Sequence, residues 1–132
     1  MPPLISHLDH LVLTVKDINK TVEFYTLVLQ MQVEVFAEGR FALKFGAQKI
    51  NLHLLGSEFE PKANHPTSGA ADLCFITVLP LAEVISHVQT CGVDIIDGPV
   101  KRTGATSPIL SFYFRDPDGN LIEVANLQTD GG

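Results

Sequence analysis

The sequence predicts an α+β fold: two tandem βαβββ modules forming a curved mixed β-sheet with helices outside. Three observations carry this prediction. An apolar run of strand character precedes a stretch of helical periodicity, and three short apolar runs follow it. The same order of elements then recurs, with HLVLTV at position 10 matching DLCFIT at position 72, an offset of about 62 residues. Between the copies lies GSEFEPKANHPTSG, a polar stretch with two prolines that reads as a linker. Neither copy can bury its sheet face alone, so the two are expected to pair. The 132 residues then make one domain, with module 1 over about 5–56, the linker over about 57–69 and module 2 over about 70–127.

Residues 8–15 (LDHLVLTV) are rich in β-branched and large apolar side chains and read as a strand. Asp17 is placed to cap a helix, and Ile18, Val22, Tyr25 and Leu29 form its apolar stripe. Strands are expected at 33–36, 40–45 and 49–55, punctuated by Gly39, Gly46 and Gly56. In the second module 71–79 reads as a strand and Pro80 suits the first turn of a helix. Leu81, Val84, Ile85 and Val88 make that helix's stripe, and Gly92 ends it. Further strands are expected at 93–96, 109–115 and 121–125, with GPVKRTGATSP as a loop between the first two. In DPDGN, at 116–120, Pro117 presets φ and Gly119 takes the left-handed position. That hairpin turn sets the register of the next strand, and so the face that Glu123 occupies.

Composition excludes several classes. A net charge of −6 argues against nucleic acid, whose phosphates demand a basic face. No Walker A or GxGxxG loop is present, so no nucleotide cofactor is expected. No apolar run approaches the roughly 20 residues of a membrane helix. MPPLISHLDH has neither the basic nor the apolar region of a secretory signal. Cys74 and Cys91 do not constitute a disulfide framework, and a cytoplasmic location is expected.

Strand alternation locates the chemistry. His10 shares a face with Val12 and Thr14, His53 with Asn51 and Leu55, Asp72 with Cys74 and Ile76, and Glu123 with Leu121 and Ala125. His10 and Asp72 begin the first strand of each module, whereas His53 and Glu123 lie in the last. A pseudo-twofold relation between modules would bring the four together. Two imidazoles and two carboxylates suit one divalent ion: Zn, Ni, Mn, Co or Fe. Cys74 shares the face of Asp72, but with no basic partner it reads as a small buried packing residue. His65 and His87 lack repeat-related counterparts of ligand type, His7 precedes the first strand, and all three stay outside the site.

The run DHLVLTVKDINKTVEFYTLVLQM resembles the start of glyoxalase I and its relatives in the vicinal oxygen chelate superfamily. GPVKRTGATSPILSFYFRDPDGNLIEVAN resembles their C-terminal strands, including the DPDGxxIE signature. INLH and EFEPKANHPTSGAADLCFIT look closest to the glyoxalase-domain-containing proteins. The resemblance implies one glyoxalase-like domain, a homodimer, a small-molecule substrate and one divalent metal ion. It places the ligands at His10, His53, Asp72 and Glu123. Asp72 stands where relatives commonly have His, and His53 where bacterial glyoxalase I has Glu. Gln30 replaces the glycine of the usual LGM turn, a change expected at the helix end.

The implied activity is that of a lactoylglutathione lyase-like metalloenzyme, a lyase or isomerase acting on a small oxygenated or thiol-adduct substrate. Glu123 would be its base, and Lys101 and Arg102 would meet an anionic substrate. The superfamily also holds drug-binding proteins of bleomycin-resistance type, non-haem iron dioxygenases and epoxide thiol transferases, because membership does not set the reaction. In a binding protein Phe41, Phe45, Phe112 and Phe114 would line the cup.

Overall fold

The computed structural model describes residues 3–128, which divide between Ser68 and Gly69 into two compact units. The first holds β1 (His10–Val15), α1 (Ile18–Val28), β2 (Gln32–Phe36), β3 (Arg40–Phe45) and β4 (Gln48–Leu54). The second holds β5 (Asp72–Ile76), α2 (Leu81–Thr90), β6 (Asp97–Thr103), β7 (Pro108–Arg115) and β8 (Leu121–Leu127). Each is βαβββ, as the repeat predicts. Where the sequence suggests one curved sheet, the backbone hydrogen bonds form two mixed four-stranded sheets, ordered β1-β4-β3-β2 and β5-β8-β7-β6.

In the first unit the helix carries the chain across the sheet, so β1 runs parallel to β4, while β2–β3 and β3–β4 are antiparallel. Leu13, Val15, Leu43, Ile50 and Leu52 are buried, together with Tyr25 and Val28 of α1. Each such side chain taken from water contributes about 1.5–3 kcal/mol. Asp17 caps α1, its carboxylate accepting from the Lys20 N–H at 3.0 Å. The helix is rotated from the expected stripe, burying Thr21, Tyr25 and Val28. Thr21 can lie inside because its hydroxyl donates to the Asp17 carbonyl at 2.9 Å. After the helix Gln30 takes φ +56°, the left-handed position for which glycine is the unstrained residue.

The second unit departs from expectation at one strand. Residues 93–96 form no strand; β6 instead starts at Asp97 and pairs antiparallel with β7. Lys101 and Arg102 therefore lie on a strand, not in a loop. Gly98-Pro99 looks like a break in the sequence, yet β6 is an edge strand, where the proline nitrogen's missing proton costs little. The register shifts between Asp97 and Val100 as the chain passes this pair. At Gly98 (φ +104°) a Cβ would stand 2.5 Å from the Ser111 carbonyl oxygen, so no larger residue fits this approach.

Two side-chain devices hold this unit. Pro80 at the start of α2 offers no capping side chain, and Asn126 of β8 takes over. Its Oδ1 accepts from the Leu81 N–H at 3.1 Å, while its Nδ2 donates to the carbonyls of Thr77 and Leu79. In the DPDGN turn the buried Asp116 carboxylate accepts from the backbone N–H groups of Asp118 and Asn120 and from the Asn120 amide. Asn120 Oδ1 then accepts from the Ala71 N–H at 2.9 Å, so the turn also sets the entry to β5. Among the described residues no helix is long and apolar enough to cross a membrane.

Candidate metal and small-molecule site

In the first unit the face opposite the helix carries the polar groups. Register pairs His10 with Lys49, Val12 with Asn51 and Thr14 with His53. His53 is thus four residues along the strand direction from His10, roughly 13 Å at the usual rise, whereas Asn51 is only two away. In the second unit Asp72 pairs with Leu121 and Cys74 with Glu123. Glu123 is therefore two residues beyond the partner of Asp72, as Asn51 is beyond the partner of His10. Strand register makes Asn51, not His53, the repeat counterpart of Glu123. The sequence holds this signal in the match of Ile50-Asn51-Leu52 to Ile122-Glu123-Val124, which attention to ligand-type side chains passes over.

Asn51 has a second distinction. Its Oδ1 is buried and accepts no hydrogen bond, the one such side-chain atom among the described residues. Leaving a buried acceptor unmet costs about 1–3 kcal/mol, so an outside partner is the economical reading.

The histidines differ in state. His10 is exposed, with Nδ1 2.8 Å from the Asp9 carboxylate. That contact leaves Nε2 for a ligand, the arrangement in which a carboxylate orients a coordinating imidazole. His53 is only 4% exposed, and its Nε2 lies 3.4 Å from Arg40 Nη2. Burial lowers its pKa below the usual imidazole value, and the Arg40 charge lowers it further. A neutral imidazole has one lone pair. Directed at Arg40, it is withheld from a metal until the guanidinium moves.

Glu123 is the most supported of the expected residues. The buried Ser111 hydroxyl donates to its Oε2 at 2.6 Å, and Cys74 and Tyr113 stand beside it as its partners on the two neighbouring strands. Desolvation, then the Glu123 charge, raises the Cys74 thiol to about 11. Cys74 is nonetheless exposed as a residue, contrary to the expected buried role, because β5 is an edge strand. Tyr113 is raised too, by desolvation first, and its hydroxyl accepts from Arg102 Nε at 3.0 Å. Arg102 Nη2 also lies 3.6 Å from Asp97. Lys101 is exposed, and Asp72 is exposed at the first position of β5.

Within either unit, among the described residues, no three His, Cys, Asp or Glu side chains are grouped closely enough to hold a metal ion. The four expected ligands fall two to a unit. The aromatic cup fails on faces: Phe112 and Phe114 pair with Val124 and Ile122, are fully buried, and lie on the opposite side of the sheet from Glu123. Phe41 pairs with Leu52, likewise on the side away from Asn51 and His53. Phe45 alternates with them on the same side.

Compared with known proteins, residues 7–124 match the family model described as Glyoxalase/Bleomycin resistance protein/Dioxygenase superfamily. Virulence protein STM3117 of Salmonella typhimurium is 57% identical over 122 residues, which covers 92% of this chain and 85% of that protein. Glyoxalase domain-containing protein RDO1 of Mycosarcoma maydis is 54% identical over 124 residues, covering 94% of this chain and 70% of that protein. Integron cassette protein VCH_CASS1, from the mobile metagenome of V. cholerae, superposes with a TM-score of 0.94 at 60% identity, covering 97% of this chain and 100% of that one.

Proposed function

The chain belongs to the Glyoxalase/Bleomycin resistance protein/Dioxygenase superfamily, and on that premise we propose that it is a metal-dependent lyase or isomerase of glyoxalase type. Its substrate is a small oxygenated molecule or thiol adduct, and the working form is a cytoplasmic homodimer. The observation that carries the reading is the treatment of Glu123, a carboxylate placed by a short Ser111 bond and flanked across the strands by Cys74 and Tyr113. A residue with no task beyond the fold needs no such setting.

By residue type alone, the donors suit a divalent ion. His10 keeps Nε2 available, Glu123 and Asp72 supply carboxylates, and β4 supplies the fourth group. The sequence points to His53 for that fourth group; the register and the unmet Oδ1 favour Asn51. A bound ion would supply positive charge to the substrate oxygen on which negative charge develops. Glu123 takes the proton from the carbon beside that oxygen and returns it to the neighbouring carbon, as a positioned general base does. Ser111 holds Oε2 in place during the exchange. Cys74, kept protonated, does not compete as a nucleophile. Lys101 and Arg102 are the proposed contacts for an anionic substrate group, for which Arg102 exchanges its Asp97 partner.

Metal content per chain and turnover of a panel of hemithioacetals, epoxides and catechols test this reading. Near-stoichiometric metal that is lost in His10→Ala, and turnover of a hemithioacetal that is lost in Glu123→Gln, are the expected results. Asn51→Ala should lower metal content more than His53→Ala. Full turnover in Glu123→Gln removes the assigned base, and oxygen uptake with a catechol replaces the lyase with a dioxygenase.

A further inference from the structure

We propose that the first unit carries an anion-recognition site centred on Arg40, whose ligand is a small carboxylate with an apolar body. This goes beyond the lyase reading and stands on the side chains of the first unit alone. Four of its six Lys and Arg residues separate into two pairs. Lys44 has Glu34 at 3.7 Å, and Lys62 has Glu60 at 3.1 Å and Glu58 at 3.8 Å. Arg40 and Lys49 have no carboxylate within 4.0 Å among the described residues, although both are half-buried. These two are also the cations that share a ring: the Lys49 ammonium lies 4.1 Å from the Phe36 centroid and the Arg40 guanidinium 5.5 Å. Two half-buried charges of one sign beside one ring, neither in contact with a carboxylate, make a place where an anion is favoured.

Arg40 is also held ready. Its guanidinium lies 4.2 Å from the Phe59 centroid, and Phe59 in turn packs edge-on against His53 at 5.5 Å. Stacking fixes the plane of a guanidinium and leaves its edge, a fork of N–H donors, to meet a partner. Among the described residues, the one hydrogen bond its guanidinium makes is the long contact to His53. A carboxylate matches the remaining fork in two parallel bonds, which are stronger than neutral ones. His53, the hydrogen-bond partner of Arg40, links it to a cavity of about 470 Å³ that Arg40 itself does not line; its walls are Val12, Thr14, Pro61 and Ala63, with Lys62 also on the lining. That size suits a small ligand, and the apolar walls suit its body.

The test uses the full chain stripped of metal by chelation, with phenylacetate as probe and phenylacetamide as its neutral counterpart. Binding is read by calorimetry and by amide chemical shifts. Phenylacetate should bind more tightly than phenylacetamide and shift the amides of Arg40, His53 and Phe59. Arg40→Met should weaken phenylacetate by at least about tenfold and leave phenylacetamide unchanged, with Arg40→Lys between. The inference is overturned by equal binding of acid and amide, by undiminished binding in Arg40→Met, or by shifts confined to the second unit. Inorganic phosphate binding more tightly than phenylacetate would overturn the carboxylate assignment. If Arg40→Met does not fold, the wild-type shift map decides alone. No turnover is measured, so failure of the lyase reading leaves this result untouched.

Discussion

Replacing Asn120 with Ala should destabilise the protein by about 3 kcal/mol, and the figure follows from what the side chain touches. Asn120 is 1% exposed. Its amide donates to the Asp116 carboxylate at 2.8 Å, a bond to a charged group worth roughly 1.5–3 kcal/mol. Its Oδ1 accepts from the Ala71 N–H at 2.9 Å, and removing it leaves that donor without a partner at roughly 1–3 kcal/mol. The backbone N–H of Asn120 keeps its own bond to Asp116, so the turn should persist while its side-chain tie to Ala71 is lost. Urea denaturation of wild type and variant, with unchanged slopes, measures the difference. A loss under about 1 kcal/mol would refute the reasoning, because it would mean neither bond matters to the fold.

Alkylation of Cys74 by iodoacetamide in metal-free Cys91→Ser protein should run about a hundredfold below an ordinary thiol near pH 8, since its pKa stands at about 11 against 9.0. Glu123→Gln should shift the pH–rate curve downward without restoring it fully, because burial is the larger cause; an unmoved curve would separate the two side chains. Gln30→Gly should stabilise by about 0.5–1 kcal/mol, since φ +56° suits glycine; thermal unfolding checks the sign. His53 has a depressed folded pKa, so the unfolded chain binds the proton more readily. Stability should be full above the unfolded value near 6.5, fall as pH drops through it and level off below the lowered folded value. His53→Gln should flatten that part of the curve in urea titrations at a series of pH values.

Much of the fold is legible in the sequence because it rests on local signals. Asp17, the helical spacing of Leu81 to Val88, and the DPDGN turn each impose one conformation, and each falls where expected. The missed strand is instructive. Gly98-Pro99 is a local signal against a strand, and only the position of β6 at a sheet edge overrides it. The candidate site is legible as a set of faces but not as a set of rows. Alternation alone puts Asn51 and His53 on one side, whereas choosing between them needs the parallel register of β1 with β4, which no local pattern encodes. Arg40 was silent for the same reason: its partners Phe36, His53 and Phe59 come from three separate segments.

The Asn126 amide joins the C-terminal end of β8 to the start of α2, and Glu123 lies three residues earlier on that same strand. Fraying of the helix's opening turn and loosening of the strand are thereby one event. Slow exchange of the Leu81 amide with solvent deuterium would then report, from the far end of the strand, how tightly anything grips the carboxylate.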